Sequence, residues 1–115
     1  MDEANTLEED AATMARIAFH LRIRPGRIEA YREAHERVPE ALERAYLDSD
    51  AGIETYSVFE RDGHVFGYLE LDDPTTIEQV MESSEAQAAW DEEMADILEP
   101  VEDGDIWMDE VYRMV

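Results

Sequence analysis

From Arg16 the chain alternates strictly, with Ile17, Phe19, Leu21 and Ile23 on one side and Ala18, His20, Arg22 and Arg24 on the other. A period of two is that of a half-buried β-strand, whose successive side chains point to opposite faces. Pro25-Gly26 stops it. Over residues 27–46 the period changes: Ile28, Tyr31, His35, Val38, Leu42 and Ala45 recur at spacings of three and four, one stripe of a helix. Tyr31 and His35 are therefore neighbours on that face. Pro39 lies inside this helix and would leave the carbonyl of His35 without its usual partner, so a local bend is predicted there.

Two β-rich runs follow, Ile53 to Phe59 and Val65 to Leu71, and the Asp62-Gly63 pair between them favours a hairpin that pairs them antiparallel. Asp73-Pro74 offers an N-cap and a first-turn proline for a short helix over 75–82, while Ser84 and Gln87 have the spacing of a capping box for another over 85–98. Ile106 to Met114 reads as a fourth strand. The order strand, helix, strand, strand, helices, strand predicts an α+β fold, a four-stranded antiparallel sheet with helices on one face. The sheet's other face is left uncovered, and its alternation predicts that a second copy covers it, giving a homodimer.

Composition adds constraints. At 115 residues the chain suits one core, so residues 15–115 are expected to form one domain behind a disordered acidic extension over 1–14. With 44% hydrophobic residues the formal charge of -22 describes the surface rather than a disordered chain. The 31 acidic residues face nine basic ones, all Arg, which disfavours nucleic acid and anionic membranes as partners. An acidic, Lys-free surface resembles proteins of salt-loving organisms that hold molar salt inside the cell. No apolar run is long enough to span a bilayer, and a cytoplasmic protein is expected. The absence of Cys removes disulfides, thiolate nucleophiles and thiolate zinc sites.

Among three His residues, only His35 shares a helix face with a Tyr; His20 sits on a strand and His64 in a turn. Periodicity alone leaves His35, Tyr31, Tyr56 and Trp90 equally readable as packing residues. The acidic runs lack the spacing of a calcium loop, no His pair has metal-binding separation, and there is no phosphate loop, nucleophile elbow or dinucleotide fingerprint. Nothing in the sequence calls for a cofactor or a metal.

Order and identity of short motifs carry more. Ala18-Phe19 and Arg24-Pro25-Gly26 are followed by Glu29-Ala30-Tyr31-Arg32-Glu33-Ala34-His35, by Gly52-Ile53-Glu54-Thr55-Tyr56-Ser57-Val58-Phe59, and by Val65-Phe66-Gly67-Tyr68-Leu69-Glu70. Trp90, Met94-Ala95-Asp96-Ile97 and Glu110-Val111-Tyr112 complete the series. Over roughly residues 16–114 this set resembles the L-rhamnose mutarotase family, with its E-x-Y-x-x-x-H, G-I-x-x-Y-S-I-F, W-W-x-x-M-x-D and E-V-F segments. The chain departs from that pattern at Arg37-Val38-Pro39-Glu40-Ala41-Leu42, where the family has W-P-E-L, and at Asp91, where it has a second Trp.

The resemblance implies a ferredoxin-like dimeric α+β barrel and an isomerase that interconverts the α and β anomers of a 6-deoxy aldose without a cofactor. It implies His35 as the proton donor and Tyr31, Tyr56 and Trp90 as sugar-contacting residues. Anomer exchange asks only for positioned acid–base groups, which His supplies near neutral pH, and for aromatic surfaces against the sugar's C–H faces. Two other readings stay open on the sequence: a cofactor-free monooxygenase on the same barrel, and a non-catalytic sugar-binding or regulatory module.

Overall fold

The computed structural model describes residues 14–101 and 105–115; apart from Met14, the extension expected over 1–14 lies outside the described residues. The elements run β1 (Ala15–Arg22), α1 (Ile28–His35), α2 (Glu40–Leu47), β2 (Ile53–Arg61), β3 (His64–Leu71), α3 (Pro74–Ser83), α4 (Glu85–Met94) and β4 (Trp107–Met108). The strands form one antiparallel sheet in the order β2-β3-β1-β4, the ferredoxin-like arrangement, with the helices on one face.

Local chemistry explains the sharp corners. Asp62 and Gly63 take φ of 54° and 84°, so the two-residue turn is left-handed at both positions, and its twist matches the strands it joins. Glu60 accepts the Gly63 amide at 2.9 Å and, through its other oxygen, the Arg32 guanidinium at 2.8 Å, which ties the hairpin to α1. The Gly63 amide, then Arg32, hold the Glu60 carboxyl below the usual carboxylate range. Asp73 caps α3 by accepting from the amides of Thr75 and Thr76, with Pro74 in the first turn where a missing N–H is harmless.

Three expected elements differ. The helix expected over 27–46 is two helices: α1 ends at His35, and Pro39 opens α2 as its N-cap, at ψ 138°. A proline drives the residue before it out of helical geometry, so the chain breaks rather than bends. The helix expected over 85–98 stops at Met94. Its continuation instead pairs with the end of the first strand, Arg24 donating to the Ile97 carbonyl and Glu99 to that of Arg22, each at 2.8 Å, with Ile23 bridging Leu98. The strand expected over 106–114 pairs only at Trp107 and Met108. Where the ladder would continue, Arg16 reaches the Glu110 carboxylate at 2.5 Å, and Val111, Tyr112, Met114 and Val115 are exposed.

The core lies between the sheet and the helices. Val65, Leu69, Leu71 and Ile77 are fully buried, each worth about 1.5–3 kcal/mol relative to exposure. Phe19 sits opposite Gly67 in the β1–β3 register, and its ring occupies the space a side chain at Gly67 would fill. From there it meets Tyr56 and Trp107 edge-on, with centroids 6.4 and 5.6 Å away. A Cβ at residue 67 would fall 2.1 Å from the Phe19 ring. Gly67→Ala should therefore cost about 1–3 kcal/mol in urea unfolding and alter the near-ultraviolet aromatic signal. An unchanged midpoint and spectrum would show that the Phe19 ring is free to move aside.

Candidate active site

Between the inner sheet face and α1, α2 and α4 lies a cavity of about 800 Å³, within the range of small-ligand sites. Phe19, Leu21, Tyr31, Leu42, Tyr56, Trp90 and Met94 give it largely apolar walls; His35, Tyr46, Gln87 and three carboxylates, Glu43, Glu54 and Asp91, supply the polar groups. The fold thus brings Tyr31, His35, Tyr56 and Trp90 to one cavity from three different elements.

Their placement follows from helical and strand geometry. Tyr31 and His35 stand one turn apart on α1, with ring centroids 4.2 Å apart and planes 34° from parallel. Trp90, from α4, meets the imidazole at 5.0 Å with its ring plane at 86° to it. His35 Nδ1 lies 2.9 Å from the Tyr31 carbonyl oxygen. A carbonyl only accepts, so Nδ1 carries the proton of that bond and Nε2 is the ring's other nitrogen. Tyr31 stands one helical turn before His35, so its carbonyl points along α1 toward the imidazole and takes the Nδ1 hydrogen on a carbonyl oxygen that has two lone pairs.

The phenols are kept protonated. Burial first, then the neighbouring Tyr56 and Glu60, push the Tyr31 hydroxyl well above its ordinary value, and burial alone raises Tyr56 to about 12. Both are donors and acceptors at neutral pH rather than bases. The remaining two His residues lie elsewhere: His20 and His64 face each other on the uncovered side of the sheet, Nε2 to Nδ1 at 3.0 Å. Burial, then His64 and Arg22, lower the His20 pKa.

Sequence reasoning passed over Tyr46 and misassigned Gln87. The stripe predicted over 27–46 runs through Pro39 to Ala45, whereas α2 restarts the phase, so Leu42 and Tyr46 are its buried residues. Only the proline signalled that reset. Ser84 does cap α4, accepting the Gln87 amide at 3.2 Å, but the reciprocal half of the capping box is absent. The Gln87 side chain accepts from the Tyr46 hydroxyl and donates to Asp91 Oδ1 at 2.7 Å.

The comparisons with known proteins agree with this geometry. No curated protein matches the chain by sequence. An L-rhamnose mutarotase of Formosa agariphila superposes with a TM-score of 0.70 over 88% of this chain and 99% of its own, at 24% identity. A Pseudomonas aeruginosa protein, PA3566, follows at 0.56 over 90% and 96%, at 17% identity. A Nitrosomonas europaea protein described as an antibiotic biosynthesis monooxygenase gives 0.57 over 87% and 92%, at 12% identity. At these identities the structural likenesses speak for the fold, which sugar isomerases and monooxygenases share. A sequence profile decides between them: that of L-rhamnose mutarotase matches residues 16–114, and the chain belongs to this family of carbohydrate isomerases.

Proposed function

We propose that the cavity binds an aldopyranose of the L-rhamnose type and exchanges its anomers, with His35 moving the protons and Tyr31, Tyr56 and Trp90 holding the sugar. The observation that carries this reading is the bond from His35 Nδ1 to the Tyr31 carbonyl, which fixes the tautomer and leaves Nε2 as the working nitrogen of a ring lining the cavity. As an imidazolium, Nε2–H protonates the ring oxygen while the anomeric hydroxyl passes its proton to a water molecule and the C1–O5 bond opens. Rotation about C1–C2 and closure on the other carbonyl face reverse both transfers, so no atom or electron is gained or lost and the same nitrogen serves both directions. Burial keeps Tyr31 and Tyr56 as neutral donors that orient hydroxyls without competing for the proton.

The same proposal makes the protein a homodimer of a salt-loving cell's cytoplasm. Phe59 and Phe66 are 62% and 43% exposed on the uncovered sheet face, beside the His20–His64 pair. Of the residues that β1, β2 and β3 direct to that face, Glu70 is the carboxylate, and it already accepts the Tyr68 hydroxyl at 2.7 Å. In a chain of net charge -22, this is a face on which two copies can meet without stacking carboxylate on carboxylate.

His35→Ala should lower anomer exchange, followed by NMR on L-rhamnose, by about 10²–10⁴-fold with fold and mass unchanged; retention of about half the rate would remove His35 from the chemistry. Tyr56→Ala and Trp90→Ala should raise the half-saturating sugar concentration more than they lower the saturating rate. The opposite split would place them in proton transfer. Salt should matter to the whole molecule, because the screening length shrinks from about 10 Å at 0.1 M to about 3 Å at 1 M. Scattering mass and melting temperature are expected to rise together across a potassium chloride series over that range. Flat values for both would reduce the acidic surface to a solubility feature.

A further inference from the structure

The cavity contains a polar arrangement with no part in the proton transfer just described. It begins at Tyr46 on α2, whose hydroxyl donates to Gln87 Oε1; the same amide then donates through Nε2 to Asp91 Oδ1 at 2.7 Å. The order is fixed. Turning the Gln87 amide over would set its oxygen against the Asp91 carboxylate, two acceptors face to face, and would leave the Tyr46 hydroxyl pointing at an NH₂ group. Burial, then Tyr56 and Asp91, raise the Tyr46 phenol well above its ordinary value, so it remains the donor that starts the chain.

Asp91 is exposed at the cavity's rim, and two further facts tie its bond with Gln87 to the cavity. Gln87 stands at the third residue after the Ser84 cap, where its side chain could close a capping box, and it reaches into the cavity instead. Tyr46 also packs edge-on against Tyr56 at 5.9 Å and 88°, so one ring braces the aromatic wall and, through its hydroxyl, the carboxylate. Asp91 Oδ1 is occupied by Gln87; among the described residues Oδ2 has no partner, and the residue lines the same cavity as His35. Glu43 and Glu54 line it too, and no Arg does.

We propose that Asp91 is a specificity-determining residue held in place by Gln87 and Tyr46: its free oxygen accepts hydrogen bonds from sugar hydroxyls, selecting neutral aldoses and rejecting sugars that carry a carboxylate or phosphate. The inference rests on the aldose reading of the cavity. Chemically, a fixed carboxylate is a strong acceptor for hydroxyl donors, and a charge-assisted bond is shorter and stronger than a neutral one. An anionic sugar would bring its charge to a cavity with three carboxylates and no guanidinium to answer it.

Titration calorimetry and NMR anomer exchange, on L-rhamnose and D-galacturonate, test this with Asp91→Asn, Asp91→Leu, Gln87→Leu and Tyr46→Phe, each checked for an unchanged far-ultraviolet spectrum. Asp91→Leu should weaken L-rhamnose binding about 10–100-fold, the worth of one hydrogen bond to a charged group, with the saturating exchange rate kept within about threefold. Gln87→Leu and Tyr46→Phe should weaken it less, and their effects should vanish in the Asp91→Leu background, as coupled positions require. Asp91→Asn, which removes the charge and keeps the shape, should gain binding of D-galacturonate. Unchanged L-rhamnose affinity in Asp91→Leu, additive effects of the three positions, or a fall in saturating rate alone would each overturn the proposal while leaving anomer exchange by the wild type standing. A wild type that binds and exchanges no aldose would overturn the mutarotase reading and this inference with it.

Discussion

The Phe19 ring lying over Gly67 is the contact on which sheet and cavity both depend. A side chain on residue 67 would occupy the ring's place, and the ring touches at once the β2 wall, through Tyr56, and the edge strand, through Trp107. Tyr56 in turn meets Tyr46 on α2. A run of edge-to-face contacts thus leads from the sheet's last strand to the helix layer, each worth about 0.5–1.5 kcal/mol beyond area burial. Because the rings are rigid and interlocked, a cavity can remain between sheet and helices without collapse of its walls. The absence of a side chain at one position is what allows an aromatic floor under the site.

Periodicity made the sheet and its covered face legible. The alternation of Ile17, Phe19, Leu21 and Ile23 is the face that packs, and Asp62-Gly63 turns where expected. Elements shaped by tertiary partners were less so. The segment after Met94 has helical composition, yet its amides and carbonyls find partners at the end of the first strand. Propensity is a weak prior against a sheet edge that would otherwise keep unpaired groups. Val111, Tyr112 and Met114 have the pattern of a strand, but among the described residues the pairing of this segment ends at Met108 and those side chains are exposed.

The cavity was legible as a set of residues and illegible as a network. Tyr31 and His35 are near in sequence, so helical spacing alone places them together. Trp90 and Tyr56 come from distant elements, and only the order of motifs linked them to His35. Tyr46 escaped because the stripe drawn through Pro39 runs to Ala45, Gln87 because it meets the spacing of a capping box, and Asp91 was legible only as the residue that stands where the family has a second Trp. A local rule met by half, as with the Gln87 side chain that leaves its own helix terminus, is the trace a functional demand leaves on sequence.

The partner of His35 also bears on the role proposed for this histidine rather than for His20 or His64. The Tyr31 carbonyl orients the ring through Nδ1 without adding a formal charge beside it. Tyr31 and Trp90 enclose the ring without adding a formal charge, since burial keeps the Tyr31 phenol neutral. His20 and His64 face each other instead, and each cation would meet the other ring across 3.0 Å, which with burial disfavours protonation of His20. Anomer exchange as proposed has the imidazole give and take a proton in turn, so what it asks of the ring's partner is orientation. The Tyr31 carbonyl, one helical turn before His35 on α1, provides that orientation with no added charge.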